Sequence, residues 1–310
     1  MKLKTSIINS YADYLRQLHG ERVQKVTVDG GFTCPNRDGL VGVGGCTFCN
    51  NASFSPAYSL GQRDLSIKEQ VERGILRVKQ RYRNVNKFVV YFQAYSNTYA
   101  PLEQLQRLYQ EALDHPQVIG LAIGTRPDCL RPEIVDYLDS IAQVKDITLE
   151  IGVESIYDDT LQRINRGHDY RSFEQALTLL APTKIRVATH LILGFPWESK
   201  KMWLESADHL SSLPIDFLKI HQLHIVKGTA LGEEYQKEPF SLMTEDEYQE
   251  LLINFLSRLN PKIVIQRLFG QAPQEMLLSP VPRMGTGAAT EALLFEMKQR
   301  GVYQGILFKH

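Results

Sequence analysis

The 310-residue chain predicts an α/β fold, a parallel sheet wrapped by helices. Two observations carry this. Short β-branched and aromatic runs alternate with amphipathic stretches about every 30 residues, the mark of βαβ units. Most of the runs lack strict polar–apolar alternation, as strands covered on both faces do. Right-handed crossovers then leave an open doubly wound sheet or a full or partial barrel. In either, loops at the carboxyl ends of the strands form the reactive face.

The strands are expected at Lys25–Gly30, Phe88–Gln93, Val118–Ile123, Asp146–Ile151, Ile185–Leu193 and Phe217–Ile225. The helices between them are expected at Ser66–Tyr82, Leu102–Asp114, Pro132–Ile141, Asp158–Ile164 with Ser172–Leu180, and Lys200–Ser211. Pro132 stands where a helix loses nothing by lacking an N–H, and Ser172 precedes an apolar-periodic stretch. After about residue 226 the alternation weakens. Thr244–Leu259 and Thr290–Arg300 read as helices, Lys262–Arg267 as a short strand, and Gly270–Gly287 as a loop. The core is therefore placed at 1–225, with a C-terminal extension packed on it at 226–310.

Composition narrows the class. Thirty-five Lys plus Arg balance 35 Asp plus Glu, so no basic nucleic-acid coat covers the chain, although a local patch is allowed. A hydrophobic fraction of 43% and a charged fraction of 23% exclude wholesale disorder. No apolar run approaches the roughly 20 residues of a membrane span. The amino terminus lacks the apolar segment of a signal peptide. Four cysteines are too few for a secreted disulfide scaffold, which points to the cytoplasm, where thiols persist as metal ligands.

Three of those cysteines, Cys34, Cys46 and Cys49, fall within sixteen positions of a Gly-rich loop after the first strand. They read as unrelated thiols, as part of a zinc site, or as ligands of an iron–sulfur cluster. Zinc normally takes four protein ligands, and no second Cys or His pair stands nearby. Three thiolates on a four-iron cubane leave one iron open to a small molecule.

Further motifs accompany the cluster: Cys46-Thr47-Phe48-Cys49, Thr125-Arg126-Pro127-Asp128, Glu150-Ile151-Gly152-Val153-Glu154-Ser155, Asn165-Arg166-Gly167-His168, and His190 to Gly194. With the segments DGGFTCPNRDG and YFQAYSNTYAP, over roughly residues 1–260, they resemble the radical S-adenosylmethionine (radical SAM) superfamily. Within it the run is similar to the YtqA/YhcC-type group, related to the radical SAM domain of the elongator catalytic subunit. That resemblance implies a partial (βα)6 TIM-like barrel with a C-terminal extension. It implies that Cys34, Cys46 and Cys49 hold a 4Fe-4S cluster whose open iron takes the amino and carboxylate groups of S-adenosylmethionine. Reductive cleavage would then yield a 5′-deoxyadenosyl radical. Two departures stand out. The first cysteine gap is eleven residues, not three, and Trp197 replaces the usual Gly of a Gly-Leu-Pro-Gly-Glu segment.

The remaining candidates follow. Phe48 would shield the cluster and touch the adenine, unless it only fills the core. Gln93, at the end of the second strand, would bind the cofactor, and Ser96 and Asn97 past it would bind its methionine end, although Ser and Asn also favour turns. Glu154 and Ser155 would hold the ribose, while Glu150 reads equally as a buried structural carboxylate. Arg166 would clamp the cofactor carboxylate with its planar fork, unless it is a surface helix end, and His168 would orient it or cap the helix. His190 and Gly194 would face the cofactor, His190 being otherwise a core histidine. Arg126, Asp128 and Cys129 are the catalytic candidates. An ion pair and an inert thiol are their structural alternatives.

The resemblance implies tRNA as substrate at the wobble uridine, specifically an MnmL-type removal of the carboxymethyl group from carboxymethylaminomethyl-(2-thio)uridine, leaving aminomethyl-(2-thio)uridine. Hydrogen abstraction at the glycine-like CH2, oxidation to an imine and hydrolysis form a reasonable route. Six basic and no acidic residues from Arg73 to Lys87 offer a phosphate-binding face, or merely a solvated helix surface. A flavodoxin or ferredoxin would donate the electron. A radical SAM enzyme on a peptide or small metabolite, and a non-catalytic zinc or nucleic-acid-binding protein, remain as alternatives.

Overall fold

The computed structural model describes residues 6–50 and 64–309. Helix α1 (Tyr11–His19) precedes β1 (Val23–Val28). Alternation follows: α2 (Ile67–Arg81), β2 (Lys87–Phe92), α3 (Leu102–Leu113), β3 (Val118–Thr125), α4 (Pro132–Ala142) and β4 (Asp146–Glu154). Two helices, α5 (Asp158–Arg163) and α6 (Tyr170–Leu180), lead to β5 (Arg186–Leu193), α7 (Lys200–Leu210) and β6 (Phe217–Gln222). The remainder is β7 (Ile225–Val226), α8 (Ala230–Lys237), α9 (Glu245–Arg258), β8 (Val264–Arg267), β9 (Leu277–Ser279) and α10 (Thr286–Gln299).

Seven strands form one parallel sheet in the order β1-β2-β3-β4-β5-β6-β8, and β7 pairs antiparallel with β9. The sheet curls into a half-barrel whose edges, β1 and β8, do not pair with each other among the described residues. The two faces of each strand have different surroundings. Outward side chains such as Val26, Val90, Leu121, Leu149, Leu191 and Ile220 join the main core beneath the helices. Inward ones form two small clusters, Val23, Val89, Tyr91 and Ala122, and Ala188, Phe217 and Val264. Tyr11 and Tyr14 of α1 pack against both clusters and meet the Phe217 ring edge-on at 5.3 and 5.2 Å. Helix α1 thus stoppers the amino-terminal end of the barrel.

Residues from the far end of the chain fasten α1 in place. Ile265 donates to the Asn9 carbonyl at 2.7 Å. The Gln304 side chain accepts from Asn9 N at 2.8 Å and donates to the Ile263 carbonyl at 2.8 Å.

All six expected strands form. The seventh, β8, comes from the region expected to pack on the core as an extension, and its short apolar run pairs with β6. Helix α1 escapes periodicity because Leu15 is its one fully buried residue and its contacts are aromatic. Helix α10 starts earlier than expected because Gly285 and Gly287 read as a loop. Among the described residues no helix is long and apolar enough to cross a membrane.

Gly120 stands opposite Asp146 in the β3–β4 ladder, and a Cβ there runs into the Asp146 carbonyl oxygen. Gly120→Ala is expected to cost about 1–3 kcal/mol, read as a lowered thermal midpoint. Gly287→Ala, in α10 with open space around it, should leave the midpoint unchanged or raise it.

Candidate active site

A cavity of about 210 Å³ opens at the carboxyl ends of the strands. Its wall includes Cys34, Cys46, Cys49, Phe48, Gln93, Arg126, Glu154, Arg166 and His190, nine of the residues singled out in the sequence. Ser96, Asn97, Asp128, Cys129, Ser155 and Gly194 do not line it.

The cysteine loop is seated by hydrogen bonds from the turn after α5. Asn36 is buried, donates from Nδ2 to the Asn165 carbonyl at 2.5 Å, and leaves no room for a Cβ at Gly42 or Gly167. Asn165 donates to the Gly45 carbonyl at 2.9 Å, and Gly45 itself sits at φ 85°, a backbone that favours glycine. Thr47 N donates to the Ile164 carbonyl at 2.9 Å. The motif Asn165-Arg166-Gly167 is therefore the dock on which the three cysteines are laid.

All four cysteines are free thiols. Arg166 Nη1 donates to Cys46 Sγ at 3.4 Å, and Arg37 Nη2 donates to the Cys49 carbonyl at 2.7 Å. Burial raises the Cys49 thiol to about 11, so a bound metal is what would keep it a thiolate. Among the described residues no three Cys, His, Asp or Glu side chains converge as ligands of one metal ion. A cubane needs no such convergence, because each thiolate binds a different iron. Thiols spaced around one wall, with guanidinium donors beside them, fit an anionic iron–sulfur cluster.

Below the cysteines the barrel interior is charged. Glu150 is buried on β4 and faces Lys25 from β1, His190 from β5 and Lys219 from β6. Its Oε2 accepts from Lys219 Nζ at 2.9 Å and from His190 Nε2 at 2.8 Å, and its Oε1 accepts from Lys25. Lys219 also donates to the Tyr91 hydroxyl at 3.0 Å. Burial opposes the Glu150 charge, but Lys219 and Lys25 outweigh it and hold the carboxyl well below its usual range. Burial lowers His190 to about 4 and Lys219 to about 7.

Backbone strain gathers at the same place. Tyr95, Glu154 and Asn165 adopt φ of 62°, 64° and 52°, rare for residues with a Cβ. At Glu154 this conformation puts the carboxylate 3.7 Å from Arg166 Nη2. Arg166 also donates to the Gly152 carbonyl at 2.6 Å, so its fork is largely committed to the cluster loop and β4. Arg126 pairs with Asp128 through two bonds of 2.8 Å, yet its Nη1 is buried without a partner.

The other candidates serve the frame around the cavity. Ser96 Oγ lies 3.1 Å from Thr125 Oγ1, and Asn97 donates to the Gly124 carbonyl at 2.8 Å, tying the loop after β2 to β3. Ser155 donates to Glu198 at 2.6 Å, and Trp203 donates to the same carboxylate at 2.7 Å. Trp197 stacks on Phe195, donates to Thr160 Oγ1 at 3.1 Å and lies under Arg163, so its bulk turns outward from the cavity. Cys129 is buried behind Arg126, and burial with the Asp128 charge raises its thiol to about 12. The residues the sequence reading passed over are Lys25, Tyr91, Lys219 and Arg267. Alternation along Phe217, Lys219 and His221 was the signal for Lys219, since those three share the inner face.

Comparison with known proteins places these features. Residues 34–210 match the radical SAM superfamily model and residues 215–299 the radical SAM C-terminal domain model. YtqA of Bacillus subtilis is 34% identical over 96% of this chain and 91% of its own length. A tRNA uridine(34) acetyltransferase of Methanocaldococcus infernus is 29% identical over 65% of this chain and 37% of its own length. The solved structure of M. infernus Elp3 superposes with a TM-score of 0.72 at 19% identity, over 91% of this chain. This chain spans 64% of that one.

Two outcomes are expected. Anaerobically reconstituted protein should be brown with broad visible absorption, and Cys46→Ala should abolish that absorption; a colourless protein carrying zinc would contradict the cluster. The second concerns acid. His190 stays neutral in the folded chain down to about pH 4, whereas the unfolded chain protonates near 6.5. The unfolded state therefore binds more protons in that window, and stability falls as pH drops from about 6.5 to 4, by of order 1–3 kcal/mol from this group. Denaturant titrations of the metal-free protein should show a shallower fall for His190→Gln, which keeps a donor to Glu150 but does not titrate.

Proposed function

This chain belongs to the radical SAM superfamily, whose members use a 4Fe-4S cluster and S-adenosylmethionine, and from that premise we propose that it modifies the wobble uridine of tRNA. The reaction is removal of the carboxymethyl group from carboxymethylaminomethyl-(2-thio)uridine, leaving the aminomethyl form. The observation that carries this reading is the juxtaposition of three cysteines with a cavity whose floor holds more cations than carboxylates. The kinship with a tRNA uridine(34) acetyltransferase supports the choice of tRNA. Acetyl transfer is not part of the reading.

When bound, the cluster and S-adenosylmethionine supply abstraction of a hydrogen atom, here from the CH2 between amine and carboxylate. In this proposal Cys34, Cys46 and Cys49 hold the cluster, and Arg166 supports the Cys46 thiolate. The free Nη1 of Arg126 and the carboxylate of Glu154 receive the cofactor's polar groups. Phe48 and Gln93 complete the wall, with Phe48 excluding water. Ser96, Asn97, Ser155 and Gly194 act by holding the loops in place. A flavodoxin or ferredoxin supplies the electron.

The wobble base must leave its stack to reach this cavity. The basic stretch contributes elsewhere. Arg73, Arg77, Lys79, Arg81 and Arg83 are exposed, but they occupy the second half of α2 and the turn before β2. That is the amino-terminal end of the barrel, opposite the cavity. In this reading the stretch holds the body of the tRNA by phosphate contacts, not the anticodon.

Nucleoside mass spectrometry of tRNA from a deletion strain tests the proposal. Carboxymethylaminomethyl-(2-thio)uridine should accumulate and the aminomethyl form disappear, and a plasmid carrying Cys46→Ala should not restore it. An unchanged profile would reject the substrate.

A further inference from the structure

A second cavity, of about 930 Å³, fills the side opening between the edge strands β1 and β8. Tyr91, Gln93, Lys219, Arg267 and Gln271 line both this opening and the cavity beneath the cysteines, so the two communicate. Arg267 stands at the junction, exposed to the opening.

Arg267 differs from every other cation of the site. Arg126 is paired with Asp128, Arg166 with Cys46 and the Gly152 carbonyl, and Lys25 and Lys219 with Glu150. Among the described residues no carboxylate, carbonyl or hydroxyl partners the Arg267 guanidinium. The ladder sharpens the contrast. His190 registers with Lys219, and Lys219 with Arg267, so one row across β5, β6 and β8 carries a histidine and two cations on its inner face. Like charges directly opposite on a sheet repel. Glu150 answers Lys25 and Lys219 but leaves Arg267 without a counter-charge. An anion placed between Arg267 and Lys219 would relieve that repulsion.

We infer that Arg267, with Lys219 beside it, recognises the carboxylate of the substrate where the two cavities meet. The inference deepens the wobble-uridine reading and rests on it for the identity of the carboxylate, that of the carboxymethylamino arm. A planar guanidinium grips a carboxylate by two parallel bonds. A flipped base enters a pocket from the cysteine end while its phosphates stay outside, so a substituent that leads the way comes to rest on the floor. Holding the carboxylate here fixes the adjacent CH2 on the cysteine side of the barrel.

The test is calorimetric titration of the cluster- and S-adenosylmethionine-loaded enzyme with three probes. They are the nucleoside 5-carboxymethylaminomethyluridine, its methyl ester, and uridine 5′-monophosphate, with uridine as the blank. Unmutated enzyme should bind the acid at least about tenfold tighter than the ester. Arg267→Gln should bind acid and ester alike, and Arg267→Lys, which keeps charge but not the fork, should retain part of the preference. The visible spectrum and thermal midpoint establish that each variant is folded. If Arg267→Gln does not fold, the comparison of Arg267→Lys with the unmutated enzyme decides. Three results would overturn the inference: no preference in the unmutated enzyme, a preference that survives Arg267→Gln, or an Arg267-dependent preference for the monophosphate instead of the acid. An unchanged tRNA profile in the deletion strain, alongside an Arg267-dependent acid preference, rejects the tRNA reading and keeps the carboxylate contact. A changed profile with no acid preference rejects the contact alone.

Discussion

The structure turns on the burial of one carboxylate. Glu150 lies inside a barrel whose ends, β1 and β8, never meet through a ladder. Hydrogen bonds therefore curl the sheet but cannot close it. Glu150 supplies what the ladder lacks: from β4 it reaches Lys25 on β1, His190 on β5 and Lys219 on β6. An ion so deeply buried is tolerable only with such partners, and removing one partner of a buried set is strongly destabilising. The same bonds that brace the half-barrel also place cations on the floor of the cavity. Bracing and ligand recognition thus draw on one set of side chains.

Above that floor the constraints are of a different kind. The cysteine loop has little apolar content of its own to bury, and it takes its shape from polar seating on the Asn165–Gly167 turn. Among the described residues, three of the four non-glycine positions with positive φ lie at this rim, so the backbone stores strain beside the cavity. Two guanidiniums divide the work. Arg166 binds the Cys46 sulfur and the β4 backbone, Arg126 is locked by Asp128, and each keeps one buried N–H without a partner, Nε of Arg166 and Nη1 of Arg126.

Much of this was legible from the residues. Strands buried on both faces declare themselves as continuous apolar runs, so β2 through β6 stood out, and three cysteines in a glycine-rich loop have few chemical explanations. What stayed hidden depends on curvature. Sequence periodicity reports that Lys219 and Phe217 share a face but not that this face turns inward. It reports nothing of β8 meeting β6, because that pairing joins segments about 45 residues apart. Arg126, Glu154 and Arg166 were visible as candidates, but the division of labour between the two arginines was not, since it follows from which nitrogen faces which loop. Ser96, Asn97 and Ser155 illustrate the converse: their side chains are polar and near the site, and their bonds go to the frame.

The fastening of α1 by Gln304 bears on how the molecule comes into being. The Asn9 amide and the Gln304 carboxamide that hold the stopper are 295 residues apart in the chain. Contacts of such separation carry a loop-closure cost that shorter segments do not repay on their own. A ribosome delivers the three cysteines long before Gln304. The cysteine loop is therefore made before the clasp on α1 can form, and that clasp waits until Gln304 meets Asn9.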